Sequence, residues 1–235
     1  MRQLPLPIEL KDSAIFKTFL AGPNAVAVAH LQAVAAGADG PGGWLWGPAS
    51  SGKSHLLQAV CAATGDAGKL AAYIPMEQMR PFGPEVLEGW DEQRLLAIDD
   101  LDRVAGDSEW ETALFNLYNG LIDRGGALIV ATERGPSGIE FDLPDLRSRL
   151  SAGAVFQLVE LDEAGIAAAL RLRAQHRGLE LPDETIQYLL RRVPRDMESM
   201  YGLLERLDVE SLAEQRKLTV PFVRSIIAGG SSQCR

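Results

Sequence analysis

Short apolar runs of β type alternate with helical patterns up to about residue 160. The β-type runs lie at 44–46, 69–75, 94–99, 127–132 and 154–159. The helical patterns between them lie at about 24–36, 53–64, 109–123 and 143–151, and Asn24 is a candidate N-cap of the first. This alternation predicts an α/β fold with a five-stranded parallel sheet flanked by helices, because parallel neighbours need crossover helices.

From Asp162 onward the pattern is helical only. Apolar residues recur at helical spacing near 162–177, 183–192 and 196–213, and in a short segment after Thr219. We therefore predict three parts: an N-terminal tail, an α/β domain and a small all-helical domain. Their predicted bounds are 1–12, 13–160 and 161–235.

The composition of the chain argues against some classes of function. With 235 residues and 46% hydrophobic content, the chain can build an ordinary buried core. The net charge of −9 argues against strong direct DNA binding, because affinity for the phosphate backbone comes from clustered Lys and Arg. No apolar stretch is long enough to span a membrane, and the two cysteines show no framework or metal spacing. We expect a cytoplasmic protein with reduced thiols.

The strongest chemical signal is a complete GxxxxGK[ST] phosphate-binding loop between the first strand and the next helix. Its glycines let successive backbone N–H groups turn toward phosphates, Lys53 reaches the β- and γ-phosphates, and Ser54 offers a hydroxyl to Mg²⁺. The helix that follows favours an anion at its N-terminus. The predicted nucleotide-binding residues here are Gly47, Pro48, Ala49, Ser50, Ser51, Gly52, Lys53, Ser54 and His55.

Acidic residues supply the second half of the predicted site. The apolar strand at 94–99 ends in Asp99 and Asp100, which is the form of a Walker B element. Asp99 is predicted to hold Mg²⁺ together with Ser54, and Asp100 to orient or polarise the attacking water. Thr132 and Glu133 end the next strand, where their polar groups would lie near the γ-phosphate as a sensor.

Arg147 and Arg149 lie two residues apart on a predicted short helix, so they point to different sides. One of them could project at a neighbouring subunit's nucleotide, where a guanidinium neutralises charge in the transition state. On spacing alone, a solvated arginine is the better interpretation.

In order, these elements make the chain resemble an AAA+ ATPase of the DnaA group: phosphate loop, acidic strand end, sensor strand, Leu-x-Ser-Arg helix and helical lid. The stretch FxxFxxGPN from Phe16 to Asn24 is similar to the group's adenine-side entrance, and LIVATERGP at 128–136 resembles its sensor strand. The resemblance covers about residues 13–228 and stops where DnaA continues into its DNA-binding domain. It implies an AAA+ P-loop NTPase core with a small helical lid domain.

The resemblance also implies a regulatory function. A DnaA-like chain without the DNA-reading domain is expected to act on DnaA: in its ADP form, it would promote hydrolysis of the ATP bound to DnaA and so restrain replication initiation. Arg149 matches the group's arginine finger and would act in trans on the nucleotide of DnaA. The chain's own ATPase would be weak, and a homodimer is the expected assembly.

The tail resembles the peptide by which replication proteins dock on the DNA polymerase III β sliding clamp. Its prolines keep the segment extended and lower the entropy lost on binding, its apolar side chains can enter a groove, and its glutamine can hydrogen-bond at the rim. The predicted contact residues are Gln3, Leu4, Leu6, Pro7 and Ile8.

Two positions depart from the group's pattern. Glu198 stands where the lid carries a sensor-2 arginine, and Arg195, one turn earlier, could take its place at the phosphates. An acid there would repel a γ-phosphate, so we hypothesise that ADP binds more tightly than ATP. Glu133 stands where many members have Asp.

Two other functions remain open at this point. One is a self-assembling AAA+ ATPase, such as a helicase loader or remodeller, in which Arg149 of one copy serves the phosphate loop of the next. The other is a nucleotide-dependent DNA-binding adaptor, which the acidic charge disfavours.

Overall fold

The computed structural model describes residues 14–194 and 196–230. Within them the chain forms two compact units. The first contains residues 14–16, Val26–Gly47 and Lys53–Gln157, and the second contains Lys17–Ala25, Pro48–Gly52 and residues 158–230. The division that we predicted, with boundaries after residues 12 and 160, stays a prediction.

Five parallel strands form the sheet of the first unit, in the order β2-β3-β4-β1-β5. They are β1 (Gly42–Trp46), β2 (Ala71–Pro75), β3 (Leu95–Asp99), β4 (Ala127–Thr132) and β5 (Ala154–Gln157). β3 and β4 are buried along their whole length, as their continuous apolar sequences require, whereas the edge strands β2 and β5 are partly exposed. The predicted five-stranded parallel sheet is confirmed.

A glycine lets β1 fit between its two neighbours. Gly42 has a φ of +107°, and a Cβ at this position would collide with the backbone of Leu128 on β4. Because only glycine lacks that atom, the position is closed to every other residue. Gly42 therefore sets the close approach of the strand that leads into the phosphate loop.

Five helices accompany the sheet. They are α1 (Ala25–Ala36), α2 (Lys53–Asp66), α3 (Met76–Met79), α4 (Ser108–Asp123) and α5 (Pro144–Leu150). α2 packs on β2 and β3, and α4 packs on β4. Short 3-10 turns occupy 80–82, 84–87 and 90–92, so residues 76–92 contain helical turns that the sequence pattern did not predict.

Asn24 has a different role from the predicted one. It ends a short 3-10 turn that precedes α1. Its side-chain Nδ2 donates to the carbonyl oxygen of Val159 and its Oδ1 accepts the N–H of Val159, each at 2.9 Å. The prediction that Asn24 caps α1 was wrong, because its side chain bonds the backbone of Val159 instead. The sequence pattern gives no sign of this partner, which lies 135 residues away.

From Glu163 onward, the second unit consists of helices and the short segments that join them. Its helices are α6 (Glu163–His176), α7 (Asp183–Arg192), α8 (Met197–Glu214) and α9 (Val220–Gly230). Asp162 and Asp196 are the N-caps of α6 and α8, where their carboxylates accept the N–H groups of Gly165 and Ser199, each at 2.7 Å. The predicted helical lid is confirmed.

One apolar core holds these four helices together. Its fully buried members include Leu170, Ile186, Leu190, Leu204, Leu207 and Phe222. No helix in residues 14–194 and 196–230 has the length and apolar content that a membrane span requires.

Candidate nucleotide-binding site

The phosphate loop uses backbone conformations that most side chains avoid. Ser50 and Gly52 have φ angles of +63° and +94°. At Gly52 a Cβ would lie 2.6 Å from the ring of Phe19, so the position needs glycine for space as well as for conformation. Ser50 adopts the left-handed region at a cost of about 1 kcal/mol. Such strain is a common property of functional loops.

Lys53 begins α2 and is buried, and its Nζ donates to the carbonyl oxygen of Gly47 at 2.7 Å. Burial lowers the pKa of Lys53. Four carboxylates act on it in the opposite direction, those of Asp99, Asp100, Glu133 and Asp102. The first unit therefore brings the phosphate-loop lysine close to the acidic ends of β3 and β4.

Asp99, the predicted Mg²⁺ ligand, ends β3 and is 1% exposed. The hydroxyl of Tyr73 donates to its Oδ2 at 2.7 Å, and the backbone N–H of Asp100 donates to its Oδ1 at 3.1 Å. Burial, with the charge of Asp99, raises the pKa of Tyr73, so this phenol stays a donor. Tyr73 was not among the predicted residues, although its position on a strand next to β3 was a usable signal.

Asp100 follows in the left-handed region, with a φ of +53°. Burial, followed by the carboxylates of Asp99 and Asp102, raises the pKa of Asp100 to about 6. A carboxyl group with that pKa can act as a proton acceptor near neutral pH. The role that we predicted for Asp100, to orient or polarise the attacking water, stays a prediction. Asp102 accepts the N–H of Glu133 at 3.4 Å, and its buried Oδ1 has no hydrogen-bond partner among the described residues.

Ser54 and Asp99 suit Mg²⁺ that arrives with nucleotide phosphates. In residues 14–194 and 196–230, no three His, Cys, Asp or Glu side chains converge to hold a metal by themselves. Ser54 is exposed in the first turn of α2, and each Asp99 oxygen accepts one hydrogen bond, which leaves a lone pair on each. Mg²⁺ commonly binds through one or two protein oxygens, phosphates and water. The residues fit that arrangement.

Thr132 has a structural role. Its fully buried hydroxyl accepts the indole N–H of Trp44 at 2.7 Å and donates to the carbonyl oxygen of Arg134 at 2.6 Å. Both bonds would be lost if the hydroxyl turned toward a phosphate. Glu133 and Arg134, the next two residues, are both exposed, and the sensor role of Glu133 stays a prediction.

We expect Thr132→Val to lower the free energy of unfolding by about 2 kcal/mol and to change ADP affinity by less than about twofold. Valine keeps the shape but leaves the Trp44 N–H and the Arg134 carbonyl without this partner. Urea unfolding and titration with a fluorescent ADP analogue measure the two effects. Thr112→Val, at an exposed helical hydroxyl, is the control. A tenfold loss of affinity with unchanged stability would instead identify Thr132 as a sensor.

We predicted that His55 contributes to nucleotide binding, but its ring makes a contact elsewhere. Its Nε2 is 3.0 Å from the carbonyl oxygen of Ile15. A contribution of His55 to phosphate binding would therefore come from its backbone N–H in the first turn of α2.

Arg149 lies on α5 with its guanidinium 4.8 Å from the centre of the Phe115 ring on α4. The side chain is exposed, and no carboxylate among the described residues forms an ion pair with it. Leu146 and Leu150, on the buried side of α5, anchor the helix in the core. Arg147 is also exposed.

Several predicted residues fall outside this description. Arg195 and the tail residues Gln3, Leu4, Leu6, Pro7 and Ile8 lie beyond the described ranges, so their roles stay predictions. Glu198 lies exposed in the first turn of α8.

The structure is similar to solved AAA+ proteins. Domain III of the replication initiation protein DnaA from Thermotoga maritima matches with a TM-score of 0.76 and 23% identity, over 92% of this chain and 96% of that one. AMPPCP-bound DnaA from Aquifex aeolicus matches with a TM-score of 0.69 and 20% identity, over 86% and 67%. The RuvB Holliday junction branch migration motor from Thermotoga maritima matches with a TM-score of 0.60 and 16% identity, over 92% and 71%. The fold is that of the AAA+ P-loop proteins.

Two family models narrow this class. The model of the Hda lid domain matches residues 162–227, and the model of the bacterial DnaA ATPase domain matches residues 84–157. The chain is a DnaA-like AAA+ protein with a lid of the Hda type, which confirms the resemblance to the DnaA group. This combination indicates a role in replication initiation and its regulation.

Proposed function

We propose that this protein is a negative regulator of replication initiation. With ADP bound, it docks through its N-terminal tail on the DNA-loaded sliding clamp and stimulates hydrolysis of the ATP held by DnaA. Arg149 is the catalytic residue of this reaction, and it acts in trans. The match of the lid to the Hda lid domain, together with the DnaA-like ATPase domain, supports DnaA as the partner.

The arrangement of Arg149 is the observation that carries the proposal. The guanidinium is exposed, it rests on the Phe115 ring, and no carboxylate in the described part of the chain neutralises it by an ion pair. A finger that acts on another protein needs these properties, because it must reach outward, hold one direction and keep its charge for the partner's phosphates. An arginine supplied in trans stabilises the charge that develops during phosphoryl transfer.

The chain's own site is proposed to hold ADP with Mg²⁺. Residues 47–55 would surround the phosphates, and Ser54 and Asp99 would hold the ion, which neutralises phosphate charge. Asp100 and Glu133 would support only slow hydrolysis of ATP by this chain. Glu198, an acid in the first turn of α8, is the reason to expect a preference for ADP, and Arg195 is the alternative phosphate contact.

If the tail tethers the protein to the clamp, changes in the tail should reduce its activity strongly when the protein concentration is limiting. Replacing Gln3, Leu4 and Leu6 together by alanine is expected to lower the stimulation of DnaA-bound ATP hydrolysis by on the order of 100-fold at limiting protein, because the effective concentration on the clamp is lost. ADP affinity should not change. The double variant Glu9→Ala, Lys11→Ala, which alters the same tail outside the docking residues, is the control. Full activity of the triple variant would contradict clamp docking.

The central experiment measures hydrolysis of radiolabelled ATP prebound to the cognate DnaA, with this protein, ADP and clamp loaded on DNA. Stimulation that requires all three additions supports the proposal. If the wild-type chain gives no stimulation but hydrolyses ATP itself, with a rate per molecule that rises with its concentration, the function is that of a self-assembling ATPase.

A further inference from the structure

Glu111, on α4, is a fully buried carboxylate that lies outside the nucleotide site. Its Oε1 accepts the backbone N–H groups of Gly106 at 2.7 Å and Asp142 at 3.1 Å, and its Oε2 accepts the N–H of Leu143 at 2.6 Å. Bonds from N–H groups to an ionised acceptor are among the strongest hydrogen bonds in proteins. Such a carboxylate holds these three backbone positions in one arrangement.

The three N–H groups come from two segments that matter for the proposed reaction. Gly106 belongs to the loop that follows Asp99 and Asp100, whereas Asp142 and Leu143 lead directly into α5, which carries Arg149. α5 begins at Pro144 without a side-chain cap from the residue before it. Glu111 therefore accepts the two backbone N–H groups that lead into that helix.

The same face of α4 also contacts α5 near its other end. Phe115 lies four residues after Glu111, one helical turn further along α4, and its ring lies under the guanidinium of Arg149. α4 thus holds α5 at two points, by a carboxylate at its start and by an aromatic ring near its end. The distance between these two contacts is set by the rigid backbone of α4.

We propose that Glu111 is a positioning residue for Arg149: it fixes the start of α5 against the loop after the Walker B aspartates, so that α5 presents the guanidinium in one place. This inference rests on the function proposed for Arg149. A purely structural role for Glu111 would affect stability alone, whereas a positioning role changes the rate of the reaction that Arg149 promotes, at an unchanged affinity for partners.

The test compares Glu111→Gln with Glu109→Gln, which makes the same change at an exposed position of the same helix. Glutamine keeps the shape of Glu111 but carries one acceptor oxygen in place of two. At saturating protein, Glu111→Gln is expected to reduce the rate of DnaA-bound ATP hydrolysis by about tenfold, with half-maximal concentration and ADP affinity within about twofold of wild type. A rate equal to that of Glu109→Gln, in an assay where wild type is active, would overturn the inference.

Hydrogen exchange on the wild-type chain tests the contact without any variant that could misfold. The amides of Gly106, Asp142 and Leu143 lie outside helices and strands, yet they should exchange at least about 100-fold more slowly than unstructured amides, because Glu111 holds them. Unprotected exchange at these amides would refute the inference even if stimulation of DnaA is observed. Absence of stimulation by wild type would instead count against the proposed function.

Discussion

Replacing Arg149 by alanine is expected to reduce the stimulation of DnaA-bound ATP hydrolysis by on the order of 1,000-fold, the range found for arginine fingers. Alanine removes the guanidinium and leaves Leu146 and Leu150, which anchor α5, untouched. Folding, ADP affinity and clamp binding should therefore stay at wild-type values. Single-turnover hydrolysis of ATP prebound to DnaA measures the loss, and circular dichroism and ADP titration check the rest.

Arg147→Ala is the matched control for this prediction. Arg147 lies on the same short helix, is also exposed and carries the same charge, so its removal changes the net charge equally. We expect stimulation within about twofold of wild type, because loss of a surface charge away from the site has a small effect. Equal losses in the two variants would mean that the positive charge of this helix matters as a whole and that Arg149 is no finger.

Lys53→Ala is expected to weaken ADP binding by on the order of 100-fold, since it removes charge-assisted hydrogen bonds to phosphate worth about 3 kcal/mol together. The loss should be larger for ATP if Lys53 also reaches the γ-phosphate. Isothermal titration calorimetry with each nucleotide measures both affinities. In the hydrolysis assay, a variant that fails to hold ADP should stimulate DnaA only at a higher ADP concentration than wild type needs.

Lys217→Ala provides the comparison for the lysine prediction. Lys217 is highly exposed and pairs with Glu180, which is exposed to a similar degree, so its loss should leave nucleotide binding unchanged. An affinity for ADP that is the same in Lys53→Ala and Lys217→Ala would show that the phosphate loop is not the nucleotide site.

The sequence pattern predicted the sheet well because a long apolar run has few alternatives to being buried in the core. The run at 127–132 can only be buried, and it forms the central strand β4 over those same residues. The segment 76–92 was not predicted, since its short helix and 3-10 turns are too brief to show helical periodicity. Its structure depends on contacts with α4 and β3, which follow it in the chain and which its own sequence pattern does not reveal.

The sequence predicted the part of the site that belongs to recognisable motifs. Lys53 and the acids at the end of β3 come together because parallel strands end at one edge of the sheet. The partners that hold these residues could not be predicted in the same way. The sequence predicts Thr132 as a sensor, but it does not show that the indole of Trp44, 88 residues away, donates to the Thr132 hydroxyl. It also gives no sign that Glu111 accepts backbone N–H groups from two other segments.

The left-handed conformations of Ser50 and Asp100 have a consequence for engineering of this protein. Glycine at either position would relieve strain of about 1 kcal/mol, so a redesign that selects for thermal stability alone would favour it. At position 100 the same change would delete the carboxyl group next to Asp99. A variant stabilised in this way would keep its fold and lose the carboxyl group that we predict to orient the attacking water, so screening libraries should exclude codon 100 from randomisation.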